Sequence, residues 1–290
     1  LRPSAGKILY VLIYAVCLGG ILLLTLDGLE YYRTPLVERA RHDLFWSLKP
    51  GGTRGHALGI AGSGLLVVMT LYTVRKRFRS FRRAGRLSHW LRFHIFCGII
   101  GPLLVILHSS FKVQGLVALS FWSMILVALS GFVGRYLYVQ IPRRRQGDEL
   151  TLAEAEALNR ETARRLTEEL GVPESALSRL DRLAAADPSH GGGALSLFFR
   201  LPFSGLRLRW GLRRLHRELP PLPKATVGEL RTLLLQRAQL QRRIALWDRL
   251  QALFHYWHVL HKPFAVVMYL FMVVHVAVAL ATGYGWGAWQ

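Results

Sequence analysis

Five stretches of this sequence, about 7–26, 56–74, 90–111, 116–139 and 259–282, run for roughly twenty residues with almost no charge. In hydrocarbon no water satisfies the peptide N–H and C=O groups, so each run must pair its own backbone as a helix. The expected fold class is therefore an all-α membrane protein, a five-transmembrane-helix bundle. The first run, Lys7 to Leu26, lacks a small-residue cleavage site and is expected to be a retained anchor rather than a signal peptide.

Composition enters here as an exclusion. A formal charge of +21 on a chain that is 52% hydrophobic, with mean hydropathy +0.27, fits apolar spans separated by basic joints and argues against a nucleic-acid binder. Cys17 and Cys97 are the only cysteines, both in apolar runs. They supply no disulfide framework, no Cys-x-x-Cys-His attachment site and no set for an iron–sulfur cluster.

The joints set the expected orientation. Between the second and third runs stand Arg75, Lys76, Arg77, Arg79, Arg82, Arg83 and Arg86 without an acid, and Pro142-Arg143-Arg144-Arg145 follows the fourth. The first loop instead mixes Arg33, Arg39, Arg41, Lys49 and Arg54 with Asp27, Glu30, Glu38 and Asp43, and the third joint is only 108–115. The positive-inside bias then places the N-terminus in the cytoplasm and the C-terminus at the outer face of a bacterial-type inner membrane.

Three parts are expected on this basis: transmembrane helices one to four over 1–142, a cytoplasmic basic helical insertion over 143–254, and over 255–290 the fifth helix with an outer tail. In the insertion, the capping box Thr151-Leu-Ala-Glu154 opens an amphipathic helix that ends at Gly171-Val-Pro173, and Glu174 to Ala186 reads as a second helix. From Leu195 to Leu219, Arg207, Arg209, Arg213, Arg214 and Arg217 alternate with Leu, Phe and Trp210, a pattern suited to an anionic membrane surface or an acidic partner. After Pro220-Pro221-Leu-Pro223, a second capping box, Thr226 with Glu229, is expected to start a helix whose apolar stripe leads into His261, with Pro263 a candidate kink.

Four histidines stand inside the apolar runs. His94 and His108 are fourteen residues apart, and so are His261 and His275. On a helix fourteen residues make about 3.9 turns, so each pair shares a face, with members roughly 21 Å apart. With both helices running from inside to outside, His94 and His261 fall at an inner level and His108 and His275 at an outer one. A lone transmembrane histidine is often only hydrogen-bonded to a neighbouring helix; two matched pairs are harder to explain that way. An apolar slot with two facing imidazoles, and no carboxylate in helices two to five, suits haem b better than zinc or a proton relay. Gly98 and Gly101 beside the first pair offer room for a macrocycle. Arg92 and Arg135 are inner candidates for haem propionates, Arg54 and Lys112 outer ones, and all four have an equal claim as interface anchors. His56, His89, His255 and His258 read as interfacial or supporting histidines, with His258 the rival of His261.

This pattern resembles the dihaem core of membrane cytochromes b, closest to the ferric-reductase-like transmembrane superfamily and similar also to the cytochrome b of quinol–cytochrome c reductases. The resemblance covers about 56–139 and 259–282 and rests on His94, His108, His261 and His275. It implies two b haems, with these four residues as iron ligands. The chain departs from the flavin-dependent members, because Gly191-Gly-Gly193 is no dinucleotide fingerprint, and from the reductase type in its glycine spacing.

The expected function is transmembrane electron transfer, as a quinone-linked or partner-linked subunit of a membrane oxidoreductase complex. Expected partners are the lipid membrane, other redox subunits and quinone or quinol, with outer contacts at the first loop and Tyr284 to Trp289. Two other classes stay open: a histidine-lined transporter or proton channel, and a membrane anchor that recruits a partner through its basic insertion.

Overall fold

The computed structural model describes residues 5–141, 150–185, 210 and 224–282. They are overwhelmingly helical, with no strand among them, and five helical stretches are long and apolar enough to cross a membrane: Ile8–Asp27, Phe45–Arg77, Leu87–His108, Gly115–Gln140 and Trp247–Ala281. The chain forms two compact units, residues 1–133 with 257–290, and residues 134–256.

The first unit begins with α1 (Ala5–Asp27) and α2 (Leu29–Arg33), then a short 3-10 turn and α3 (Phe45–Leu48). The second span is not one helix. It comprises α4 (Thr53–Val68) and α5 (Leu71–Arg77), broken at Met69–Thr70. No proline or glycine marks the break. Instead the Thr70 hydroxyl donates back to Val67 O at 2.7 Å, the local bonding by which threonine competes with a helical ladder. α6 (Leu87–His108) and α7 (Gly115–Gln140) follow, and α11 (Trp247–Ala281) closes the unit. α11 starts well before His261 and runs helical through Pro263.

Close approach of α4 to α6 follows from small residues. Gly55, Gly59, Gly62, Leu66 and Met69 recur at alternating steps of four and three and are all buried. A Cβ on Gly62 would lie 2.8 Å from Val105 and 3.0 Å from Gly101 O, so this crossing needs glycine. The unit's core gathers Leu66, Met69, Cys97, Met124, Met268 and Met272, which takes in all four methionines of the chain.

Where α6 gives way to α7, Ser110 and Phe111 take left-handed backbone conformations, φ 49° and 60°. Buried Arg39 clasps this joint to the first loop: Nε donates to Thr34 O at 2.8 Å, Nη2 to Tyr32 O at 2.8 Å and Nη1 to Ser110 O, with the guanidinium over the Tyr31 ring. Ser110 Oγ adds a bond to Leu48 O at 2.6 Å. Arg39, one of several loop cations in the sequence, is thus a strut just beyond His108.

In the second unit α8 (Leu152–Glu168), α9 (Glu174–Ala185) and α10 (Lys224–Ala245) pack around Leu166, Val172, Leu177, Leu180, Leu230, Leu234 and Ala238. The Thr151–Glu154 capping box forms, with reciprocal bonds of 3.2 and 2.9 Å. Gly171, at φ +62°, turns the chain so that Val172 N–H reaches Leu166 O. Thr226 is not a cap, because α10 is already under way at Lys224. The stretch 195–219, apart from exposed Trp210, lies outside the described residues, as do 142–149, Pro220 to Pro223 and Tyr284 to Trp289.

Candidate functional site

α11 turns one stripe toward the unit's interior: His261, Ala265, Met268, Met272, His275 and Ala279, at steps of four and three. Val266, Leu270, Val273, Val274 and Val278 are exposed on its other sides, as a lipid-facing surface requires. On α6, His94 and His108 stand at the two ends of a face that also carries Gly101 and Val105. The methionine-rich cluster occupies the space between the two histidine levels.

Toward the C-terminal ends of α6 and α11 the rings of His108 and His275 have centres 6.4 Å apart and planes at 60°. His108 Nδ1 lies 2.8 Å from Gly55 O. A carbonyl only accepts, so Nδ1 carries the proton and Nε2 keeps its lone pair. Gly59 makes room for this ring, since a Cβ there would sit 2.6 Å from His108 Nδ1.

Toward the N-terminal end of α6 His94 Nδ1 lies 3.2 Å from Met69 O, at the break between α4 and α5, and its ring stands 5.2 Å from that of Tyr72. The same accounting leaves its Nε2 bare. His261 Nδ1 meets Ser130 Oγ at 2.6 Å. With that hydroxyl donating to Val127 O at 2.8 Å, it accepts from His261 Nδ1, the arrangement that leaves Nε2 bare. Trp257 completes the mount: its indole N–H donates to Ser130 O at 2.8 Å and its ring lies 4.8 Å from that of His261, tilted 33°. The two carbonyls that orient the α6 histidines, Gly55 and Met69, are themselves fourteen residues apart.

Gly101 packs on α4, with Gly62 O 3.3 Å from where its Cβ would be, and so serves a helix crossing. Gly98 has more room, its nearest neighbour being Met69 Sδ at 3.8 Å. Arg54 is ion-paired with Asp27 at 2.5 Å. Lys112, Arg92 and His89 are exposed. Arg135 belongs to the other unit, where it stands over Tyr138 at 5.6 Å, and His255 in that unit packs beside Tyr256. His56 is half-buried. His258 packs edge-on to Trp257 with ring centres 4.6 Å apart.

Sequence reasoning missed Ser130, Trp257, Gly59 and the Gly55 and Met69 carbonyls. The glycine stripe at 55, 59 and 62 was the available signal; the carbonyls had none, because every residue carries one. It also read Arg75 only as a topological charge, whereas Arg75 is buried one turn beyond Tyr72 and donates from Nη2 to Gly85 O at 2.9 Å.

Among the described residues no three His, Cys, Asp or Glu side chains converge on one point; what the fold pairs is histidines. Fold and composition define an all-α, multi-pass membrane protein. Neither a protein-family model nor a curated protein nor a solved structure matches the chain.

Proposed function

We propose that the chain carries electrons across a membrane through two b haems, an outer one between His108 and His275 and an inner one between His94 and His261. The observation that carries this reading is the outer pair. Two imidazoles that would each bond one metal at about 2 Å, with roughly 1 Å from nitrogen to ring centre, would have their centres about 6 Å apart. The rings of His108 and His275 stand 6.4 Å apart. Three of the four Nδ1 atoms are engaged by fixed acceptors, which presents Nε2 as the ligand atom and raises its basicity. Such a group, when bound, supplies reversible one-electron exchange tuned by its axial ligands and burial.

The protein's part is to hold each pair of imidazoles, keep water out and space the two levels. Arg92 and buried Arg75 are the candidates in the first unit to balance propionate charge at the inner level. The carboxylate-free joint from Arg75 to Arg86, against a first loop holding Asp27, Glu30, Glu38 and Asp43, supports an inner position for the α5–α6 joint and for the N-terminus. The membrane is then a bacterial-type inner membrane, and electrons enter and leave through quinol or partner redox subunits.

The test is a visible spectrum of detergent-purified protein during addition of a short-chain quinol. Growth of b-type bands supports both the cofactor and a quinone link. Bands that appear only with dithionite support the haems and transfer the donor role to a partner subunit, while a protein with no b-type bands under either reductant contradicts the proposal.

A further inference from the structure

We propose that Ser130 is a positioning residue that fixes the orientation and basicity of His261 and thereby sets the redox balance of the inner site. The inference rests on the haem reading above and goes beyond ligand identity.

Ser130 holds His261 in two ways. Its hydroxyl accepts the Nδ1 proton at 2.6 Å, the shortest of the three Nδ1 contacts, against 2.8 Å for His108 and 3.2 Å for His94. Its backbone carbonyl accepts from Trp257 Nε1, and the Trp257 ring lies against the imidazole. The hydroxyl cannot rotate away freely, because its own proton is committed to Val127 O within α7. Acceptor and stacking partner are therefore mounted on one residue, half-buried in the span.

The electronic consequence follows from the direction of the bond. Withdrawing the Nδ1 proton toward Ser130 pushes electron density onto Nε2, which favours the more positive, oxidised state of a metal bound there. Losing the hydroxyl makes the inner site easier to reduce.

Redox titration of haem absorbance in the full-length protein tests this, with the inner signal assigned as the one missing from His94→Ala. Ser130→Ala is expected to raise the reduced-to-oxidised ratio of the inner haem about tenfold at a given potential, equivalent to about 59 mV for a one-electron couple. The outer haem stays unchanged, and Ser130→Thr, which keeps the hydroxyl, restores the wild-type value. Loss of the inner haem in Ser130→Ala with retention in Ser130→Thr also supports a positioning role. Equal behaviour of the two variants, or a common shift of both haems, overturns it in favour of packing. Unchanged potentials in Ser130→Ala with haem bound overturn the Ser130 inference alone; a wild-type protein lacking haem overturns the parent reading.

Discussion

At the scale of single residues, a ligand histidine in a membrane helix needs a partner for its second nitrogen as much as it needs a metal for its first. His108 finds that partner only because residue 59 has no side chain. Gly59→Ala places a methyl 2.6 Å from Nδ1, so the ring must swing off Gly55 O or α4 must retreat, at an overpacking cost of about 1–3 kcal/mol. The expected result is a purified protein that loses its outer haem and keeps its inner one, measured as haem per chain by pyridine haemochrome assay. Gly64→Ala on the same helix is the control, because nothing lies within 4 Å of its added carbon and both haems are retained. Arg39 tests a different role. Arg39→Ala leaves the carbonyls of Thr34, Tyr32 and Ser110 without this donor, and for the buried Ser110 carbonyl the loss costs about 1–3 kcal/mol. A lower thermal midpoint with both haems still bound is the expected outcome.

At the scale of elements, the same stripe of fours and threes that buries Met268 and Met272 carries His261 and His275, so helix packing and histidine placement are one pattern. That is why the fold class was legible in the sequence, together with the approach of His108 to His275: apolar length reports a span, and equal spacing reports a common face. The break at Met69–Thr70 was not legible, since it depends on a threonine hydroxyl competing with one helical turn and leaves no glycine or proline behind. Nor was the start of α10, where a capping-box motif occurs inside a helix begun earlier. The first capping box did read correctly, and the difference is that Thr151 follows non-helical chain while Thr226 does not. Thr151→Ala is expected to destabilise α8 by about 1 kcal/mol, visible as faster amide exchange in its first turn.

At the scale of the whole molecule, the charge pattern separates two jobs. The acids of the first unit are Asp27, Glu30, Glu38 and Asp43, all between the end of α1 and the start of α3, and its parts of α6 and α11 carry histidines and no acid. The second unit is a helical body held by a leucine-rich core and an ion pair between buried Arg237 and half-buried Asp181 at 2.7 Å, with the guanidinium also donating to Asn159 O at 2.9 Å. Asp181→Ala leaves buried Arg237 without its counter-charge and destabilises the unit. Limited proteolysis of the full-length protein is expected to open α8 to α10 in that variant while the haem spectrum stays that of the wild type; joint loss of both would contradict the independence of the two units. The central claim is the pairing of imidazoles at two levels, and the measurement that bears on it most directly is the dithionite-reduced minus oxidised spectrum with haem quantified per chain. The account predicts b-type bands and two haems in the wild type, one in His94→Ala and one in His275→Ala, each with the complementary level intact. A correctly folded, colourless wild-type protein, or histidine variants that keep both haems, would contradict it.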